Sequence, residues 1–322
     1  MHLPDGFLDA KTALLSTGAA AAGVGIALRQ VKATVTPAKV PLLGLAASFV
    51  FAAQMLNFPV VGGTSGHLMG GVLTAVLLGP SAAVLVMTCV LIVQCLMFAD
   101  GGLTALGANV FNMGILSVCG GYLVFRLMRR LIPTQETRST VFAAAFAAWF
   151  GTVLASLSCA GQLALSGTAP WSLAFPAMVN IHMLIGVGEG LATGLVTLAV
   201  LRARPDLVTG NGPAPVTGRF ELAGYGLLSA VGLALFVAPF ASSWPDGLEA
   251  IAHTLGFEHK AQPAVVPAPM TDYQFPWLGS ATTATAAAGL IGTVIAFVGA
   301  YVLARLLVPV LSAGKKDAVS HH

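Results

Sequence analysis

The chain is a succession of apolar runs, several of them close to twenty residues long and free of charge. A helix of about 20 apolar residues matches the ~30 Å hydrocarbon core of a bilayer. In lipid every backbone N–H and C=O must be satisfied within the protein, which leaves helices or a closed barrel. Barrel strands alternate apolar and polar residues in segments of ~10, whereas these runs are unbroken. Of the 322 residues 57% are hydrophobic and 8% charged. A soluble domain carries about 25% charge and a disordered chain more, so a water-soluble enzyme is excluded. The expected fold is all-α, a polytopic helical membrane protein with about seven transmembrane helices and a C-terminal two-helix hairpin.

Nine spans are expected, near 8–28, 40–57, 67–79, 81–98, 104–128, 139–165, 172–200, 221–242 and 281–308. Basic residues collect in alternate loops: Arg29, Lys32 and Lys39; Arg126, Arg129, Arg130 and Arg138; Arg202, Arg204 and Arg219; Arg305, Lys315 and Lys316. The positive-inside rule then puts the amino terminus outside and the carboxyl terminus in the cytoplasm. The run 67–79 is short for a span, but a re-entrant segment there would carry the Arg126–Arg138 cluster outside. It is therefore read as a short crossing compensated by local packing. The division expected is a membrane unit 1–203, a cytoplasmic linker 204–220 rich in Gly and Pro, and a two-helix part 221–312 around an outer loop 243–280. No cleavable signal peptide is expected, because the start lacks a basic region. Cys89, Cys95, Cys119 and Cys159 lie in apolar runs and read as small buried hydrophobes. His321-His322 reads as the stub of an expression tag.

The chain opens Met1-His2-Leu3-Pro4-Asp5-Gly6-Phe7-Leu8. A His at position two permits a chelate from the Met1 amine, the His2 amide nitrogen and the near ring nitrogen of His2. The donors lie in one plane, and a fourth nitrogen would complete a square suited to Ni(II) or Cu(II). His67, in Gly62-Gly63-Thr64-Ser65-Gly66-His67, lies at the same membrane face and is the candidate fourth donor. A solvated terminus and a capping histidine are the structural alternatives. His182 and Glu189, seven apart, share a helix face, and Glu189 lies at membrane depth, where an ionisable group is costly. Thr64, Ser65, Asn109, His182 and Glu189 are candidates for orienting the ligands or for packing around them. Asp100 and Asn112 read as loop or cap residues, or as such orienting partners. His253 and His259 of the outer loop read as solvated. There is no phosphate-binding loop, so no ATP hydrolysis is expected of this chain.

Together the Met1–Leu8 opening, the stretch Gly62–Gly71, the loop Asp100–Asn109 and the helix His182–Gly190 resemble the substrate-binding (S) component of nickel/cobalt energy-coupling-factor (ECF) transporters, of NikM/CbiM type. The tail, with Pro245-Asp246-Gly247-Leu248-Glu249, resembles the two-helix NikN partner, here fused. The resemblance implies high-affinity capture of nickel or cobalt ion from the extracytoplasmic side of a prokaryotic cytoplasmic membrane. Met1, His2 and His67 would be the metal donors. A transmembrane coupling protein and cytoplasmic ATPase subunits would be partners, with no organic cofactor and no nucleic acid. Ala19, Gly23 and Ala27 have the small-residue spacing that such a coupling contact uses. A secondary carrier or channel, and an intramembrane metalloenzyme using His182 and Glu189, are the rival readings.

Overall fold

The computed structural model describes residues 1–132, 137–209 and 218–308. The centre of the linker, residues 210–217, together with Lys315, Lys316 and His321-His322, lies outside the described residues. The elements are α1 (Ala10–Thr34), α2 (Val40–Gln54), a hairpin of β1 (Phe58–Val60) and β2 (Thr64–Gly66), α3 (Gly71–Leu78) and α4 (Pro80–Phe98). Next come α5 (Leu106–Asn109), a π-helical segment Val110–Leu116 and α6 (Ser117–Leu131), which form one continuous rod. Then follow α7 (Thr137–Leu165), α8 (Trp171–Ala203), short α9 (Asp206–Thr209), α10 (Arg219–Phe236), α11 (Gly247–Leu255) and α12 (Ala281–Leu307). Among the described residues eight helical stretches are long and apolar enough to cross a membrane. The protein is thus the multi-pass helical membrane protein that the apolar runs predict.

The third crossing takes an unexpected form. Of 67–79 only the eight residues of α3 are helical, about 12 Å at 1.5 Å per residue. The rest of the depth is covered by His67–Gly70, non-helical and buried throughout. Gly70 adopts φ of +72°, a left-handed conformation open to glycine at little cost. The segment nonetheless connects the two ends of the bundle, because the Ser81 hydroxyl donates to the side-chain Oε1 of Gln30 near the far end of α1.

Small residues set the packing. Gly186 and Gly190 of α8 lie against Trp149 and the Ala145 carbonyl of α7, so the two backbones approach closely. The C-terminal pair packs on α2: Gly226 of α10 meets Leu45, Gly292 of α12 meets Phe51, and Gly44 meets Phe297 and Tyr301. All four cysteines are free, with Cys95 and Cys159 buried and Cys119 exposed. Residues 241–280 then cross the end of the bundle that carries Met1, bonding from Ser242 N to Asn57 O (2.8 Å), from Met270 N to Met97 O (3.0 Å) and from Gln262 N to Asp5 O (2.8 Å).

Candidate metal centre

The first residues of the chain are inserted, not loose: Met1 is 5% exposed and Leu3 fully buried. The side chain of Asn109, at the start of the π-helical segment, clamps the Leu3 peptide from both sides. Its Oδ1 accepts from Leu3 N (2.8 Å) and its Nδ2 donates to Leu3 O (3.1 Å). The carboxylate of Asp5 accepts from Thr104 N (2.8 Å) and Thr104 Oγ1 (2.5 Å). Thr168 Oγ1 donates to Phe7 O (2.5 Å). Three separate elements thus hold the terminus in the bundle.

This insertion brings Met1, His2 and His67 together. The Met1 amine nitrogen lies 3.0 Å from His67 Nε2, and the His2 and His67 rings stack at 5.2 Å. Across the His67 ring, Nδ1 faces the Leu68 carbonyl at 3.1 Å. A carbonyl only accepts, so Nδ1 carries the proton and Nε2 keeps its lone pair. Metal–nitrogen bonds of about 2.0 Å at right angles separate adjacent donors by about 2.8 Å, close to the observed spacing.

The His2 ring sits in a longer chain of donors and acceptors. Met69 O can only accept, so the amide NH₂ of Gln54 donates to it (2.9 Å). Gln54 Oε1 then accepts from Gln94 Nε2 (2.8 Å). Gln94 Oε1 is left facing His2 Nε2 at 3.2 Å. Burial lowers the His2 pKa more than neighbouring Asp100 raises it. Nδ1, the nitrogen a terminal chelate needs, lies 3.0 Å from Asp100 Oδ1. Both ring nitrogens thus face acceptors, and chelation at Nδ1 would exchange the carboxylate for a cation. Asp100 is held from its other side by the Tyr273 hydroxyl (2.6 Å). The His2 backbone N–H has no hydrogen-bond partner among the described residues. Among the described residues no cluster of three His, Cys, Asp or Glu side chains forms a metal site. Any centre here depends on the backbone nitrogens of Met1 and His2.

The fused tail reaches the same place. The carboxylate of Asp246 caps α11, its Oδ1 accepting from Leu248 N (2.7 Å) and Glu249 N (2.9 Å), while Glu249 Oε2 accepts from Asp246 N (2.9 Å). This reciprocal box leaves Asp246 Oδ2 free to take the Met1 amine at 2.6 Å. Burial lowers the pKa of that amine, but the charge and hydrogen bond of Asp246 outweigh it and the net shift is upward. The same pairing outweighs burial at Asp246 and holds its carboxyl below the usual range. Pro245 O accepts from Ser65 N (2.8 Å) and Trp244 O from Ser65 Oγ (2.7 Å). A Cβ on Gly247 would stand 2.8 Å from Ile185 Cδ1 and 3.1 Å from His182 Cε1, so the backbone there lies closely against α8. Beside the centre opens a cavity of about 910 Å³ lined by His2, His67, Asp100, Asp246, Glu249 and Tyr273 among others.

The remaining expected residues fall as follows. Glu189 accepts from Met69 N (2.6 Å) and Gly70 N (3.0 Å). His182 binds Met178 O through Nδ1 (2.8 Å) and faces Gly247. Thr64 pairs with Val60 in the hairpin. Asn112 lies further in, bonded to Gln162 and Ser158. Ala27 is buried and Gly23 packs against Ile115, so of that stripe only Ala19 is exposed. His253 and His259 are exposed. Gln54, Gln94, Tyr273 and Asp246 were not anticipated as parts of the centre. A glutamine in an apolar run such as 80–98 was the available signal for Gln94, and the Asp246–Glu249 spacing of a helix cap that for Asp246.

Fold and geometry together define a polytopic helical membrane protein whose buried amino terminus converges with His2 and His67 at one end of the bundle. The chain belongs to the family described as the cobalt uptake substrate-specific transmembrane region (CbiM), which it matches over residues 2–207, and residues 221–309 match the PDGLE domain. A fused NikMN chain of Archaeoglobus fulgidus, named for nickel transport, is 37% identical over 307 residues, 95% of this chain and 98% of that one. The cobalt transport protein CbiM of Geobacter sulfurreducens is 30% identical over 278 residues, 82% of this chain and 80% of the other. The crystal structure of a truncated transition metal transporter superposes with a TM-score of 0.57 at 33% identity, covering 63% of this chain and 99% of that one.

Proposed function

We propose that this protein captures nickel or cobalt ion as the substrate-specific component of an ATP-driven ECF-type importer. The ion is held by the Met1 amine, the His2 amide, His2 Nδ1 and His67 Nε2. The observation that carries this is the 3.0 Å approach of the Met1 amine to the lone-pair nitrogen of His67. The unpartnered His2 amide supports it. Family membership and the names of the nickel and cobalt relatives support these ions as cargo. Each donor binds only when deprotonated, so loading releases protons.

The orientation follows from charge. Asp5, Asp9, Asp100, Asp246, Glu249 and Glu258 lie toward the Met1 end, whereas Lys32, Lys39, Arg126, Arg129, Arg138, Arg202 and Arg305 lie toward the other. The basic end faces the cytoplasm, so the Met1 end receives its ion from outside the cytoplasmic membrane. A transmembrane coupling protein and separate ATPase subunits then drive release inward. Residues 1–203 form the capturing unit, 204–220 the cytoplasmic linker and 221–312 the attached two-helix part.

The test is to place two extra residues before Met1 and titrate the purified chain with nickel. The extension abolishes the amine chelate, so the four-nitrogen absorption band of the wild type disappears. Undiminished binding by the extended chain overturns the assignment.

A further inference from the structure

The amino terminus and the C-terminal part of the chain meet at one atom pair, Met1 N and Asp246 Oδ2, and the pairing has a consequence for the loaded centre. We infer that Asp246 positions the metal-bound Met1 amine, so that the C-terminal part completes the centre by orienting a ligand rather than by supplying one. The inference rests on the amine being a donor, as proposed above.

The Met1 ammonium has three N–H bonds. Coordination takes one proton away to solvent and gives the freed lone pair to the metal. Two N–H bonds remain on the coordinated amine. One of them can keep the bond to Asp246 Oδ2, which already stands 2.6 Å from the nitrogen. A carboxylate accepting from a coordinated N–H both aims the ligand and raises its donor strength, as outer partners of metal-bound imidazoles do.

Asp246 is itself held in place, which an orienting group must be. Its Oδ1 takes two N–H donors of α11, and its backbone N–H is taken by Glu249. Ser65 fixes the residue before it through Pro245 O. The residue after it, Gly247, packs against His182 and Ile185. The contacts along Pro245–Glu249 thereby hold the Asp246 carboxylate in place. Its Oδ2 meets a backbone amine 245 positions away.

The experiment loads the full chain, with its native amino terminus, with nickel. Dissociation into excess chelator is then followed through the d–d absorption. Asp246→Asn keeps a side-chain oxygen for the α11 cap but puts an NH₂ where the amine needs an acceptor. Asp246→Ser caps equally well and withdraws the second oxygen altogether. Both variants are expected to release nickel about 10- to 100-fold faster and to shift the d–d band. The exposed α11 substitution Thr254→Ala should leave rate and band unchanged. A dissociation rate measures the loaded centre and is independent of how readily the free amine holds its proton. A wild-type rate and band in both Asp246 variants overturns this inference alone. A wild-type chain with no four-nitrogen band overturns the proposed function and this inference with it.

Discussion

Glu189, buried midway along α8, accepts hydrogen bonds from the backbone N–H groups of Met69 (2.6 Å) and Gly70 (3.0 Å). It thus satisfies the non-helical stretch that leads from His67 into α3. Without a partner in the bilayer interior those two donors would have nowhere else to turn. Glu189→Ala leaves both unsatisfied at about 1–3 kcal/mol each, whereas Glu189→Gln still offers one acceptor oxygen. Thermal unfolding in detergent should show a drop in Tm that is large for Ala and smaller for Gln. An unchanged Tm in the Ala variant would show that the stretch finds other partners.

The His2 ring is held from its far side by Gln94, whose oxygen faces Nε2 because Gln54 and Met69 O fix its orientation. Gln94→Leu removes that acceptor and leaves the ring free to turn away from the proposed metal. Nickel affinity should fall about 10- to 100-fold with little change in fold. Calorimetric titration measures it, and wild-type affinity in this variant would contradict the orienting role.

Loading is expected to strengthen as pH rises. The Met1 amine has a pKa raised above its ordinary 8.0, so the free protein carries its proton at neutral pH and the bound form does not. The bound form holds fewer protons, so higher pH favours it. Affinity should climb about tenfold per pH unit for each proton released. His2, with its pKa lowered, adds nothing above the ordinary histidine range. Nickel titrations at a series of pH values below the amine pKa provide the check, and a flat profile would exclude the amine.

Gly247→Ala inserts a methyl group against His182 and Ile185. Overpacking of this kind costs about 1–3 kcal/mol. The variant should melt earlier and release nickel faster, because the shift moves Asp246 off the amine. Unchanged melting and release would mean that the loop gives way elsewhere.

The apolar runs marked every long helix because twenty uncharged residues have few other solutions in lipid. The 67–79 crossing differed because a run's length says nothing about where a buried acceptor such as Glu189 lets a helix unwind. His67 was legible as a candidate donor beside glycines, and Met1 and His2 by position alone, and the structure brings the three together. Gln54, Gln94 and Asp246 were not, since each acts through a partner distant in sequence. Asp246 wore the signature of a helix cap, which accounted for one of its oxygens and concealed the use of the other.

The Met1–Asp246 pair also fixes an order of assembly. The first residue polymerised waits until 245 others have followed before its carboxylate exists. A nascent chain interrupted between His67 and Asp246 carries both imidazoles but not the carboxylate that meets its first amine, so the two termini of the centre are joined only after translation has run past the Pro-Asp-Gly stretch.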